Sequence, residues 1–262
     1  MKAILSALVV AGLLAAAPVR AQDSAAEAKP PEKKQCDVPA ELLSVGDGTL
    51  DKVAAAVRDD KKLDILVVGS GSSTLAGPDG ASIAYPARLE AALREKLPGV
   101  TVTVTANVQP KRTAEDVAET LAPLVNERKP NLLIWQTGTV DAIRAVHPDD
   151  FRTAVDEGVQ SVKAANADVI LMNLQYSPRV ETMFPTAPYL DNLRAVAQQQ
   201  DVPLFDRYSI MHSWNDSGQF DLSVSSRSFA LAKGVHECLG RALADLVIAA
   251  ARLAPAEPKA QN

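Results

Sequence analysis

The amino-acid sequence predicts an α/β protein, a three-layer αβα sandwich built on a five-stranded parallel sheet. Three observations support this fold class. Short apolar runs alternate with longer segments of helical periodicity. The connections between the runs are long enough for a crossover helix, and 47% of the residues are hydrophobic, which allows a substantial core. Right-handed crossovers between parallel strands then place helices on both faces of the sheet.

Five short apolar runs predict the strands. Each is dominated by aliphatic side chains and is too short for a buried helix. Numbered along the chain, the strands are expected to pair in the order 2-1-3-4-5, because a helix-length connection follows each of the first four. They are Leu63–Gly69, Val100–Thr105, Asn131–Trp135, Asp168–Met172 and Val202–Phe205.

Segments of helical periodicity fill the gaps between these strands. In one of them Phe151, Val155 and Val159 recur on one face, as an amphipathic helix requires. Pro86 and Pro148 stand where the first turn of a helix accepts proline. The predicted helices are Pro86–Leu97, Thr113–Glu127, Pro148–Ala165, Tyr189–Gln199 and Gly234–Leu253.

The two ends of the chain differ in composition from the domain between them, residues 36–253. Residues 1–21 combine a basic start, an apolar run and small residues before Ala21, the pattern of a secretory signal peptide. The alternative, a membrane anchor, needs about 20 apolar residues, more than this run supplies. Residues 22–35 and 254–262 are polar and contain proline, which is typical of a flexible leader and tail. We expect export, to the periplasm or the medium, after cleavage near Ala21, with no membrane span in the mature chain.

Charge and cysteine content narrow the environment further. Cleavage would remove Lys2 and Arg20, so that the formal net charge moves from −5 to −7. Such an acidic chain lacks the electrostatic footprint of nucleic-acid or anionic-lipid binding. Cys36 and Cys238 are the two cysteines, and an exported chain meets an oxidising compartment. We therefore expect them to form a disulfide.

The loop after the first predicted strand is a candidate for chemistry, because ligands gather at the carboxyl ends of parallel strands. Glycine followed by small hydroxyl residues over Gly69–Thr74 allows a tight turn with an exposed hydroxyl and free backbone N–H groups. This pattern indicates a nucleophile loop. Two alternatives are a phosphate-binding loop, whose lysine before Ser or Thr is missing here, and an ordinary serine-rich turn.

The G-T-x-D turn over Gly138–Asp141, together with the serine loop, resembles the SGNH (GDSL-type) hydrolases. The order and spacing of further segments extend the resemblance over nearly the whole mature chain. These segments are Tyr85–Leu89, Leu171–Tyr176, Cys238-Leu239 and Cys36–Pro39, the last of which is similar to the start of one exported branch of the family.

The resemblance implies a flavodoxin-like αβα fold and hydrolysis of esters, often of acyl groups on carbohydrates or lipids. Members of the family use a serine nucleophile in the first loop and an Asp-x-x-His pair before the last helix. A glycine N–H and an Asn side chain, from the second and third loops, stabilise the oxyanion. Gly71 falls at the nucleophile's position, unless one inserted residue moves that position to Ser72, the candidate nucleophile.

The remaining family positions have lost their catalytic residues. The second loop, Asn107–Arg112, contains no glycine, and Val140 stands where the family has Asn. The Asp-x-x-His pair falls on Arg227–Ala230 or on Asp221–Val224, and neither segment ends in histidine.

The histidines and cysteines offer no replacement chemistry. None of His147, His212 and His236 follows an aspartate by three residues, and we expect each to be a surface or packing histidine. Histidines and cysteines also lack the spacing of metal ligands, so no metal or cofactor is expected.

These substitutions predict that hydrolysis by the family mechanism is impaired and that the protein is a binding or accessory module of the cell envelope. The expected ligand is a carbohydrate or an acylated small molecule in the strand-end cleft. Two alternatives stay open: a weak or unconventional serine esterase that uses Ser72, and a structural interaction protein whose cleft is filled. The candidate binding residues are Ser70, Ser73, Asn107, Thr139 and Asp141.

Overall fold

Five parallel strands form the central sheet of the protein. They are β1 (Lys62–Gly69), β2 (Thr101–Val108), β3 (Leu132–Gln136), β4 (Asp168–Met172) and β5 (Leu204–Phe205). Their order in the sheet, β2-β1-β3-β4-β5, confirms the predicted topology. This computed structural model describes residues 36–43, 48–223 and 229–254. The predicted signal peptide, the leader and the tail beyond Ala254 lie outside the described residues.

Strand boundaries depart from the prediction at the two edges of the sheet. β2 runs beyond the predicted end at Thr105, because Ala106–Val108 pair with Val67–Gly69 of β1. β5 is limited to Leu204 and Phe205, since these are the residues that pair with β4. The longer ladder between β1 and β2 brings the second loop next to the serine loop, at the carboxyl ends of the strands.

Ten α-helices lie in the described part of the chain, and none of them combines the length and apolarity of a membrane span. The predicted helices correspond to α3, α4, α6, α8 and α10 in the numbering below. The others were not predicted: four of them have six residues or fewer, and α9 has ten. The helices are α1 (Asp51–Ala55), α2 (Gly80–Ile83), α3 (Tyr85–Lys96), α4 (Ala114–Arg128), α5 (Thr139–Arg144), α6 (Pro148–Ala164), α7 (Pro178–Met183), α8 (Ala187–Gln199), α9 (Arg207–Asp216) and α10 (Phe229–Ala250).

The long helices cover both faces of the sheet, so the predicted three-layer αβα sandwich is confirmed. α3 packs beside α10, and α6 packs between α4 and α8. Trp135 of β3 is fully buried against α6, where a Cβ atom at Gly158 would lie 2.4 Å from its Cζ3 atom. Glycine at this position therefore lets α6 approach the sheet closely.

The first described segment is fastened to the last two helices. Cys36 and Cys238 form a disulfide, with their Cα atoms 4.8 Å apart, as predicted. The indole N–H of Trp214, in α9, donates to the carbonyl oxygen of Asp37 at 2.7 Å. Cys238 is fully buried in α10. The disulfide thus joins the start of the domain to its core at the other end of the chain.

Candidate functional site

A buried glutamine at the end of β3 holds the serine loop, Gly69–Thr74, through hydrogen bonds. Gln136, the last residue of β3, is 2% exposed. Its Oε1 atom accepts hydrogen bonds from the backbone N–H of Ser70 at 3.0 Å and from the hydroxyls of Ser70, Ser72 and Ser73 at 3.0, 3.3 and 3.1 Å. Because a backbone N–H can only donate, these contacts fix the orientation of the amide and turn its Nε2 atom away from the serines.

The three serines have different exposures. Ser73 is buried, and its Oγ atom lies 2.9 Å from the hydroxyl of Tyr85, at the start of α3. A Cβ atom at Gly69 would lie 2.1 Å from Ser73 Oγ, so this turn requires glycine. Ser70 and Ser72 are half-buried, with their Oγ atoms 3.4 Å apart. Ser73 therefore stabilises the loop from inside the protein, whereas Ser70 and Ser72 are partly exposed to solvent.

The side chain next to Ser72 is an arginine. Arg207, the first residue of α9, donates from Nη1 to Ser72 Oγ and from Nη2 to Gln175 Oε1, both at 3.1 Å. The residue is 1% exposed, and its Nε atom has no partner among the described residues. Burial lowers the pKa of Arg207 to about 10, so the guanidinium stays charged at neutral pH.

The backbone around Arg207 is held by the end of β4. Asn173 donates from Nδ2 to Asp206 Oδ1 at 2.6 Å and accepts from the Tyr208 N–H at 2.9 Å. The Asp206 carboxylate also caps α9 through the N–H of Ser209 and pairs with Arg194 at 3.3 Å. The carboxylate adjacent to Arg207 in sequence is thus committed to other partners.

No histidine contacts the serine loop within the described residues. His236, in α10, is buried and accepts the backbone N–H of Tyr85 at Nδ1, at 2.9 Å. Burial, and to a lesser extent the charge of Arg207, lower the pKa of His236 to about 3. Exposed His147 accepts from the N–H of Asp149 at the start of α6. His212 Nδ1 lies 3.0 Å from a carboxylate oxygen of Asp216.

Both sequence segments considered for the family's Asp-x-x-His pair lie partly outside the described residues. Arg227, Ser228 and Val224 are not described. Phe229 and Ala230 form the first turn of α10. His147 is exposed, His212 is partly exposed and His236 is buried in α10, so the three histidines occupy surface or packing positions, as the sequence predicts.

A small polar pocket lies beside the serine loop. Its volume is about 10 Å³, enough for one water-sized group. Three buried side-chain atoms of its lining residues have no partner in the described structure: Gln109 Oε1, Gln136 Nε2 and Thr139 Oγ1. Gln109 Nε2 donates to Thr120 at 3.1 Å, which fixes the position of Gln109 Oε1. The residues around the pocket therefore include an unpaired amide donor, an unpaired amide acceptor and an unpaired hydroxyl, beside the charged residues Arg112 and Asp141.

The predicted binding residues are distributed around this pocket. Ser70, Thr139 and Asp141 line it, whereas Ser73 is buried against Tyr85 and does not line it. Asn107 lies inside β2 opposite Val68. Asp141 Oδ1 accepts the N–H of Ala114, at the start of α4, at 2.8 Å, and burial raises the pKa of its carboxyl.

The second loop and the residues that sequence reasoning missed complete the site. Lys111, in the loop that lacks glycine, has a left-handed backbone with φ of 63°.

Sequence reasoning did not assign a role to Gln136, Gln175 or Arg207. The rule that ligands gather at strand ends could have indicated the two glutamines, since Gln136 is the last residue of β3 and Gln175 follows β4.

The described ranges contain no cluster of side chains that could bind a metal ion. There, no three His, Cys, Asp or Glu side chains converge as a metal site requires. The expectation that the protein uses no metal or cofactor stays a prediction.

Comparison with known proteins identifies related sequences and structures. A family model described as the non-GDSL lipase-like family matches residues 35–253. A lipase/acylhydrolase from Enterococcus faecalis is 19% identical with a TM-score of 0.57, covering 75% of this chain and 100% of that chain. The acetylxylan esterase Axe2 from Geobacillus stearothermophilus is 18% identical with a TM-score of 0.55, covering 71% and 94%. TesA is 22% identical with a TM-score of 0.51, covering 72% and 97%. No curated protein matches the sequence. These structures share the fold of SGNH/GDSL hydrolases with this chain.

Proposed function

The chain belongs to the non-GDSL lipase-like family, and from that premise we propose that it is an exported, non-catalytic member that binds a ligand at its strand-end site. One observation carries the proposal: the group beside the Ser72 hydroxyl is the Arg207 guanidinium, where a serine hydrolase needs a base. The protein would then act as a binding or accessory module of the cell envelope.

The hydrogen bonds of Ser72 support the proposal that its hydroxyl is not activated. Its oxygen accepts from Arg207 Nη1, and the acceptors within reach of its proton are Gln136 Oε1 and Ser70 Oγ. An amide oxygen is a very weak base, and a guanidinium has no acceptor atom. Serine is a poor nucleophile unless a neighbouring base removes its proton. The described site therefore supports binding through Ser72 better than attack by it.

The oxyanion side is weakened as well. Val140, at the position where the family has Asn, has no side-chain donor. Loss of one oxyanion donor typically lowers turnover by about 10²–10³-fold. Base and oxyanion defects act on one transition state, so their effects need not multiply fully, but both reduce hydrolysis.

Export is supported by two independent features. The sequence pattern of residues 1–21 is that of a signal peptide. The Cys36–Cys238 disulfide is of a kind that persists mainly in oxidising compartments.

A second candidate function is weak or unconventional esterase activity. It is favoured by the contact between Arg207 and Ser72, because a neighbouring positive charge stabilises the deprotonated form of a hydroxyl. In that case the base would be water or the substrate itself, and turnover would still depend on Ser72.

Ester turnover separates these two functions. We expect wild type, Ser72→Ala and the control Ser161→Ala, a serine on α6, to release p-nitrophenol from acetyl and butyryl esters at the same background rate. The reason is that no described base can activate Ser72. Turnover that persists in Ser161→Ala but is abolished in Ser72→Ala would establish the esterase and overturn the binding role.

A further inference from the structure

Arg207 is a buried cation without a counter-ion in the described structure. The residue is 1% exposed, and both of its hydrogen-bonded nitrogens contact neutral oxygens, those of Ser72 and Gln175. No carboxylate among the described residues forms an ion pair with it, and the nearest aromatic contact is the ring of Tyr85, 5.9 Å from its guanidinium carbon. A buried charge is strongly unfavourable unless something compensates it. A ligand that carries negative charge would supply this compensation.

Two partly exposed residues separate the buried guanidinium from solvent, and a ligand reaches it by displacing their side chains. Ser72 and Gln175 are both half-buried, and they cover Nη1 and Nη2 respectively. Two anionic oxygens that replace these neutral acceptors would meet the end of the guanidinium. A planar carboxylate matches this fork with two parallel hydrogen bonds. The chemistry on this side of the site therefore favours a carboxylate.

The neighbouring pocket favours a different group. Gln136 Nε2 can only donate and Gln109 Oε1 can only accept, and both are buried without a partner among the described residues. A hydroxyl both donates and accepts, and a volume of about 10 Å³ admits one oxygen-sized group. This end of the site is therefore suited to an alcohol.

The two ends are connected through the serine loop. Ser70 lines the pocket, and its Oγ atom lies 3.4 Å from Ser72 Oγ, which in turn contacts Arg207. A ligand across this serine pair would carry its carboxylate on the Arg207 side and its hydroxyl on the pocket side.

We propose that the site binds a sugar acid, with its carboxylate on Arg207 and one ring hydroxyl in the pocket of Gln109, Gln136 and Thr139. This inference rests on the proposed binding function and names its ligand class. Neutral sugars share the hydroxyl contacts but leave the Arg207 charge uncompensated. Arg207 contacts Ser72 directly, whereas the charged residues Arg112 and Asp141 line the neighbouring pocket, so the charge preference is assigned to Arg207 by substituting it alone.

The test measures binding of acid and neutral sugars of the same ring type. Dissociation constants of glucuronate, galacturonate, glucose and galactose are determined by NMR titration for wild type, Arg207→Lys, Arg207→Met and Arg128→Met, an exposed control arginine on α4. Wild type and the control are expected to prefer the acids by roughly tenfold or more, the size of a hydrogen-bonded charge contact. Arg207→Met should lose this preference, and Arg207→Lys, which keeps the charge but not the fork, should retain part of it. Circular dichroism confirms folding of each variant.

Equal affinity of wild type for acid and neutral sugars would overturn the inference, as would an unchanged preference in both Arg207 variants. Competition by inorganic phosphate as strong as that by glucuronate would overturn the assignment to a sugar acid. Ester turnover dependent on Ser72 would overturn the proposed function while leaving the charge preference intact. Absence of a preference in a protein without turnover would overturn this inference alone.

Discussion

Removal of the disulfide, by Cys36→Ser together with Cys238→Ala, lowers the free energy of unfolding by about 2–5 kcal/mol. The bond joins residues 202 positions apart, so its loss greatly increases the conformational freedom of the unfolded chain. Alanine is chosen at position 238 because that side chain is fully buried, and a serine hydroxyl there would lack a partner. Urea unfolding under non-reducing conditions measures the change.

Two controls distinguish the effect of losing the disulfide from the effect of changing the two side chains. Wild type with reductant should unfold at nearly the same urea concentration as the double variant, because both lack the covalent link. Thiol labelling of oxidised, denatured wild type should find no reactive cysteine. Two reactive thiols, or a double variant as stable as wild type, would contradict the account of the disulfide.

Acid destabilises wild type more than the His236→Asn variant, by about 3 kcal/mol between pH 7.5 and pH 4.5. Burial and the nearby Arg207 charge lower the pKa of His236 to about 3, from an ordinary value of 6.5. Between these two values the unfolded chain binds a proton that the folded chain does not. Stability from neutral His236 is therefore present above pH 6.5 and is lost as the pH falls towards 3.

Asparagine is the matched replacement at this position. Its side-chain oxygen can accept the backbone N–H of Tyr85, as Nδ1 of His236 does, but it does not titrate. Urea unfolding of both proteins at the two pH values gives the difference. Groups such as Asp168, whose pKa burial raises to about 6, titrate alike in both proteins and cancel. Parallel pH dependences in the two proteins would contradict a buried, neutral His236.

The sheet and the long helices were predictable because they follow from the pattern of apolar residues. All five strands, their order and the helices α3, α4, α6, α8 and α10 have strong periodicity or a short, fully apolar run. The strand-end rule also located the serine loop and the Gly138–Asp141 turn at one edge of the sheet. These features depend mainly on local sequence and on the geometry of parallel strands.

The chemistry of the site was less predictable, because it depends on contacts between distant segments. Arg207 Nη1 contacts a serine 135 residues away, and nothing in the sequence around it indicates that an arginine would be buried. Arg207 lies on the buried face of α9 with Ile210, Met211 and Trp214, but a charged residue at the start of such a helix is usually exposed. Gln136 can accept hydrogen bonds from three serines of the loop after β1 only because β1 and β3 are neighbours in the sheet. The sequence could therefore indicate where the motifs of this chain depart from the family pattern, but not which side chains surround Ser72.

The central claim is that Ser72 is not a nucleophile, and covalent labelling tests it independently of the choice of ester. Wild type, Ser72→Ala and Ser161→Ala are incubated with an alkyl fluorophosphonate, which reacts with activated serines, and their intact masses are measured. We expect all three masses to remain unchanged, because the neighbours of Ser72 are a guanidinium and an amide oxygen. A single stoichiometric adduct in wild type and Ser161→Ala that is absent from Ser72→Ala would contradict the account.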